Sequence, residues 1–221
     1  MINSVLFFGR KNCKYSLKIK SFLKKKIKSV DIIFSDNKGK INISKFLRKN
    51  YDYIFCFRSK IILKTDILKT SKFSINFHPS LPKYRGVGGV NYAIYNNDKY
   101  FGYTVHIINK KIDNGKILKV SKFRILKNDT VETLLKKTHK TLYIEAKKFI
   151  GKLIKNSKIL ENKNIKINMQ WGKKYYDVKS LNKFYEINPN ISKKKFERKL
   201  KSTIYKNYKP YVTLHGKRFF A

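Results

Sequence analysis

Two cysteines in 221 residues, Cys13 and Cys56, give neither a disulfide framework nor a metal-ligand spacing, which excludes a cysteine-stapled secreted scaffold. Both read as small buried hydrophobes. No run of about 18 uninterrupted apolar residues occurs, so no membrane span is expected. Residues Met1 to Lys11 lack a signal-peptide apolar core followed by a small-residue cleavage site, and the expected location is cytoplasmic. Acidic side chains are scarce: 13 Asp and Glu stand against 53 Lys and Arg, a formal net charge of +40. Alanine occurs only at Ala93, Ala146 and Ala221.

A positive surplus of this size points first to nucleic acid or an anionic surface, because Lys and Arg release the counterions of phosphates they neutralise. The distribution argues otherwise. Arginine is confined to Arg10, Arg48, Arg58, Arg85, Arg124, Arg198 and Arg218, while Lys is spread along the whole chain beside abundant Asn and Ile. That is the signature of an AT-rich genome, and the charge reads as compositional drift that still attracts anionic ligands. With 42% hydrophobic residues, 15 Tyr and 16 Phe, the chain can bury a substantial core.

Periodicity gives the order of elements. Val5 to Phe8 reads as a buried strand broken by Gly9, and Tyr15 to Ile27 as a helix. Asp31 to Phe34, Tyr53 to Phe57 and Phe73 to Phe77 read as further strands, with a short helix candidate over Ile41 to Phe46. Strands alternating with helical segments predict an α/β fold with a Rossmann-like, mostly parallel sheet. The stretch from His78 to Gly89 concentrates Pro79, Pro82, Gly86, Gly88 and Gly89 and is read as a loop of specific geometry. Beyond it come a helix at Val90 to Tyr95 and an antiparallel pair, Gly102 to Ile108 and Ile117 to Ile125, joined through Asp113-Asn114-Gly115.

Asp129 followed by Glu132 predicts a capping box for a long helix with Val131, Leu134, Leu142, Ala146, Ile150 and Leu153 on one face. That helix closes a first unit, 1–155. The remainder, 156–221, is read as a polar linker over Asn156 to Asn168, a helix starting at Ser192, and a β-hairpin of Tyr211 to Leu214 and Arg218 to Phe220 around Gly216.

The chemistry concentrates in three fragments: Asn76-Phe77-His78-Pro79, Gly102-Tyr103-Thr104-Val105-His106 and Asp113-Asn114-Gly115. Strand alternation puts Asn76 and His78 on one side of a strand end, where open α/β sheets keep their ligand sites. An amide, an imidazole and a carboxylate can converge there. Taken alone, Asp113 would read as a turn former, and His106 as a buried support for the site. His139 and His215 read as surface or satisfied side chains.

In their order, these fragments resemble the folate-dependent formyltransferases, which share an Asn-x-His-Pro motif, a Gly-x-Thr-Val-His strand and an Asp-x-Gly turn. The resemblance covers roughly Asp52 to Leu118 and implies acyl transfer from 10-formyltetrahydrofolate to an amine, with Asn76, His78 and Asp113 as catalytic residues and no metal. Asn76 would donate to the oxyanion. His78 would share that role when protonated, or remove the amine's proton when neutral, and Asp113 would orient His78 or relay a proton.

Within the superfamily the chain is most similar to the small nucleotide-sugar N-formyltransferases of surface-polysaccharide synthesis, whose short tails end in a helix and a β-hairpin. That likeness implies a nucleotide-linked amino sugar, such as dTDP-4-amino-4,6-dideoxyglucose, as acceptor. It implies Lys60 for the diphosphate, Tyr84 and Arg85 for the sugar pocket, and the backbone from Phe57 to Ile62, with Ser59 and Ile61, for the pterin. His106 joins the cofactor side. Trp171, Tyr175 and Tyr176 read as packing the linker onto the core, and the hairpin as a dimer or core element, with a homodimer expected. Two alternatives are carried: a truncated methionyl-tRNA formyltransferase acting on or binding tRNA, and a glycinamide ribonucleotide formyltransferase. The second meets Phe8-Gly9-Arg10-Lys11-Asn12 where its phosphate loop would begin Gly-Ser-Asn.

Overall fold

The structure, a computed structural model, describes residues 2–36, 42–161 and 169–221. In chain order the elements are β1 (Ser4–Arg10), α1 (Lys14–Lys26), β2 (Ser29–Ser35), β3 (Tyr51–Phe57), α2 (Thr65–Leu68), β4 (Ser71–His78), β5 (Arg85–Gly86) and α3 (Gly89–Tyr95). There follow β6 (Tyr100–Ile107), β7 (Ile117–Arg124), α4 (Val131–Lys155), β8 (Tyr175–Tyr176), α5 (Val178–Phe184), α6 (Lys193–Thr203), β9 (Tyr211–Leu214) and β10 (Lys217–Phe220). Six strands form the central sheet in the order β2-β1-β3-β4-β6-β7. The pairs β1–β2, β1–β3 and β3–β4 are parallel, and β4–β6 and β6–β7 are antiparallel. The α/β class and the antiparallel end are as the sequence predicts.

The sheet is buried on both faces, and β3 shows why. Tyr53, Phe55 and Phe57 point into one cluster with Phe7, Phe77, Ile19 and Leu23 of α1, and Leu142, Ala146 and Ile150 of α4. Ile54 and Cys56 point into the other, with Leu6, Phe8, Ile33 and Ile67. A strand that must be apolar on both sides loses the alternation of a half-buried strand and reads as a continuous run. Both cysteines are buried and free.

Three expectations about local structure need correction. Gly9 does not break β1, which runs on to Arg10. The Phe34 ring lies against it so closely that a Cβ at position 9 would meet Phe34 Cε1 at 2.7 Å, so the glycine makes room rather than a turn. The capping box of α4 sits one residue later than predicted: Thr130 caps, accepting from Thr133 N, while Thr133 Oγ1 accepts from Thr130 N. Asp129 instead accepts from Leu126 N and Thr133 Oγ1, and Glu132 pairs with Lys136 on the exposed face. The helix candidate before β3 is a single 3-10 turn, Ser44–Phe46, with Ile41 outside the described residues.

Of the linker predicted over Asn156 to Asn168, residues 157–160 form a 3-10 turn and 162–168 lie outside the described residues. The tail contains one helix more than predicted, α5, capped by Asp177 Oδ1 accepting from Ser180 N at 2.7 Å. The predicted hairpin forms between β9 and β10, with His215 and Gly216 both left-handed at φ 48° and 75°. α6 packs toward the core, where Asn91 of α3 donates to Ser202 O at 2.7 Å.

Candidate active site

The carboxyl end of β4 builds the site. In the antiparallel register of β4 and β6, Asn76 stands opposite His106 and His78 opposite Thr104, so alternation presents Asn76, His78 and His106 together. Asp113 comes from the β6–β7 connection. Its backbone is left-handed, φ 44°, a conformation that Asp tolerates better than most residues and that turns its carboxylate back onto the histidines. Asp113 Oδ2 lies 3.4 Å from His78 Nδ1 and Oδ1 lies 3.3 Å from His106 Nε2. Gly86 N donates to Oδ2 at 2.9 Å.

The amide of Asn76 ties the cluster together. Its Nδ2 is 3.1 Å from His106 Nε2 and donates to Asp113 Oδ1 at 3.3 Å. His106 Nδ1 faces the carbonyl of Ile107 at 2.8 Å and therefore carries a proton, because a carbonyl only accepts; Nε2 lies between the Asn76 amide and the Asp113 carboxylate. The same reasoning at His78 puts a proton on Nε2, which faces the carbonyl of Tyr84 at 3.1 Å. To donate elsewhere, Asn76 must release Asp113, its longer partner.

Burial and charge set opposite tendencies on the pair. His78 is 4% exposed, and burial pushes its imidazole below the ordinary histidine value, with His106 adding to the effect; Asp113 and the Tyr84 carbonyl pull the other way without overcoming it. Burial pushes Asp113 up, but His78, His106 and the Gly86 amide outweigh it and hold the carboxyl well below the usual carboxylate range. The resting pair is thus a neutral imidazole beside an ionised carboxylate, an arrangement able to take up one proton. Asn76 is only half-buried, so the amide is the member that faces outward.

The other predicted residues divide. Phe57 is fully buried, backbone included, and packs into the core below the site. After it the chain turns through Arg58 at φ 56° and is pinned to the end of β2: Lys60 N donates to Ser35 Oγ at 3.0 Å, and Ile61 N to Ser59 Oγ at 3.1 Å. Ile62 stands 64% exposed at this edge, and the Lys60 side chain is exposed. His106 is 2% exposed and faces Asn76 rather than the open side.

Tyr84 is 1% exposed, its ring packed near Tyr92, Phe101 and Tyr176 and its hydroxyl donating to Asp98 at 2.7 Å. A ring so placed does not line a pocket; the carbonyl of Tyr84 is what reaches the site. Arg85 is equally committed. Its Nε donates to Asp113 O at 2.8 Å, Nη2 to Ile112 O at 3.1 Å and Nη1 to Gly172 O at 3.3 Å. Both residues shape the wall around the triad.

Two site elements escape sequence reasoning. Gly86, at φ +90°, belongs to a two-residue bridge with the tail, Arg85–Gly86 pairing with Tyr175–Tyr176, and a Cβ there would meet Tyr176 O at 2.1 Å. Trp171 sets its ring edge-on to His106, centroids 4.8 Å apart, and 6.0 Å from His78. Its being the chain's single tryptophan was the available signal. Among the described residues no group of three or more His, Cys, Asp and Glu is placed to hold a metal ion, and no helix is long and apolar enough to cross a membrane.

Known proteins share this architecture. Over 141 residues the chain is 37% identical to the bifunctional polymyxin resistance protein ArnA of Wigglesworthia glossinidia brevipalpis, covering 62% of this chain and 21% of that protein. It is 35% identical over 150 residues to a methionyl-tRNA formyltransferase of Borreliella afzelii (strain PKo), covering 65% and 46%. The chain thus spans less than half the length of these curated relatives. Among solved structures it is similar to a 4-N formyltransferase from Francisella tularensis, with TM-score 0.79, 21% identity and coverage of 99% of this chain and 96% of that one. It is also similar to the N-formyltransferase of Helicobacter canadensis, in complex with folinic acid and dTDP-3-aminofucose, with TM-score 0.71, 21% identity and coverage of 99% and 86%. At these identities the structures speak for the fold. The family is decided by the sequence profile described as formyl transferase, which matches residues 22–147: the chain belongs to the formyl transferase family.

Proposed function

We propose that this protein is a folate-dependent N-formyltransferase that moves a formyl group from 10-formyltetrahydrofolate to the amine of a nucleotide-linked amino sugar, with surface polysaccharide as the product's destination. The observation that carries the reading is the convergence of Asn76, His78 and Asp113 on one buried proton-accepting pair with a half-exposed amide beside it. The Helicobacter canadensis neighbour, crystallised with folinic acid and a dTDP-amino sugar, supports the substrate class.

10-Formyltetrahydrofolate supplies, when bound, a formyl group carried on nitrogen. The Phe57 to Ile62 loop is the candidate pterin site: its backbone is held in place by the Ser35 and Ser59 hydroxyls, and it presents an exposed apolar Ile62 beside the catalytic strand end. Asn76 Nδ2 donates to the acyl oxygen as negative charge develops on it, a role typically worth about 3 kcal/mol when such a donor is removed. His78 takes the proton lost by the attacking amine, and Asp113, fixed by Gly86 N, stabilises the imidazolium so formed. Lys60 meets the diphosphate, while Tyr84 and Arg85 hold the acceptor-side wall.

In this reading 1–155 carry the chemistry, 156–221 complete the acceptor side, and the location is cytoplasmic. The exposed Leu214, Phe219 and Phe220 of the β9–β10 hairpin support a homodimer formed through it. A second reading, action on tRNA, is favoured by the methionyl-tRNA formyltransferase relative and by the +40 charge. One assay separates the two. Purified protein is offered 10-formyltetrahydrofolate with dTDP-4-amino-4,6-dideoxyglucose, methionyl-tRNA or glycinamide ribonucleotide, and products are read by mass spectrometry. Formylation of the sugar nucleotide is expected; formylation of methionyl-tRNA alone would replace the first reading with the second.

A further inference from the structure

Resting on that reading, we propose that Trp171 is a positioning residue that keeps water away from the His78–His106 pair, so that the formyl group passes to an amine instead of being hydrolysed. The indole stands edge-on to both imidazoles, at 4.8 Å from His106 and 6.0 Å from His78, centroid to centroid. It is locked there. Nε1 donates to Gly115 O at 2.7 Å, Gly172 N donates to Pro82 O at 3.0 Å, and Gly172 O accepts from Arg85 Nη1 at 3.3 Å. The tail is therefore tied to both loops that carry the chemistry, the one after β4 and the one after β6. The resulting accessibility is one-sided: His78 and His106 are 4% and 2% exposed, whereas Asn76 is half-buried.

One-sidedness matters because the acceptor's competitor is water. In transfer, a bond forms from the amine nitrogen to the formyl carbon, the bond from that carbon to N10 breaks, and the proton lost by the amine ends on N10. In hydrolysis a water oxygen bonds the same carbon and the same bond to N10 breaks. One proton of that water ends on N10, and formate leaves as the other is released. A neutral imidazole able to take a proton from an attacking amine can also assist an attacking water. Access then decides the outcome, and a flat, apolar indole pinned by its own N–H is suited to denying it.

The test compares wild type with Trp171→Ala and Trp171→Phe, with circular dichroism confirming the fold. Formate and formylated amine are quantified in the same reaction. Trp171→Ala is expected to raise the formate-to-product ratio on the order of tenfold, and Trp171→Phe, which keeps a ring but loses the donor, by less. A second readout needs no turnover: diethylpyrocarbonate labelling of the substrate-free protein, scored by mass spectrometry against the exposed His215. His78 and His106 should label faster in Trp171→Ala. Either readout unchanged in a folded variant overturns the proposal, and if Trp171→Ala does not fold, Trp171→Phe decides by the same two measures. A wild-type protein that formylates no amine would overturn the function proposed above, and the labelling would still decide whether Trp171 shields the pair.

Discussion

Arg85 holds Asp113 by its backbone: Nε donates to the Asp113 carbonyl at 2.8 Å while Nη2 donates to that of Ile112 at 3.1 Å. The left-handed turn that aims the Asp113 carboxylate at His78 is thus clamped by a planar fork. Lysine cannot reproduce that geometry. Arg85→Ala and Arg85→Lys should both lower kcat/KM, by about 100-fold for Ala, because an error of about 1 Å in a catalytic group is enough for such a loss. Steady-state kinetics with a thermal unfolding control checks this; wild-type kcat/KM in Arg85→Lys would show that the fork does not position the carboxylate.

Acid should destabilise the fold earlier than carboxylate titration alone requires. Burial, with Arg58 and Arg10 nearby, pushes His139 down to about 3, and burial also lowers His78. Between the ordinary histidine value of about 6.5 and those lowered values, the unfolded chain binds protons that the folded chain refuses. Stability is therefore full above about pH 6.5 and falls as the pH drops, reaching a loss of about 2 kcal/mol at pH 5 from His139 alone. Urea midpoints at pH 7.5 and 5.0 should show the fall, and His139→Gln should reduce it. An identical pH dependence in His139→Gln would contradict the assignment.

Lys60 is exposed at the edge of the loop that Ser35 pins, and partial desolvation by its neighbours together with Arg10 lowers its ammonium value. If it meets the diphosphate, Lys60→Ala raises KM for the sugar nucleotide more than it lowers kcat. Added salt should narrow the gap between the two proteins. The reverse split, a lowered kcat with KM kept, would move Lys60 to another role.

What was legible in the sequence depended on whether a residue's neighbours were local. Asn76 and His78 share one strand end, and a two-residue alternation suffices to bring them together. Asp113 lies in a turn whose three residues name themselves. Trp171 reaches its acceptor, Gly115, across 56 positions, and nothing in a local pattern predicts which way a tail returns. Tyr84 shows the converse: the family resemblance implies a pocket residue, yet Asp98 satisfies its hydroxyl and an aromatic cluster takes its ring, contacts that no local pattern announces. At α4 the error was one residue, because Asp129 and Thr130 are both good caps and only the phase of the helix chooses between them.

The most direct measurement is formyl transfer by wild type, Asn76→Ala and His78→Ala in one assay, with 10-formyltetrahydrofolate and the nucleotide amino sugar, each variant confirmed as folded. The account predicts a formylated product from wild type, a loss of about 10²- to 10³-fold in kcat for Asn76→Ala, and a near-complete loss for His78→Ala. Near wild-type turnover in both folded variants would contradict the assignment of the chemistry to the end of β4.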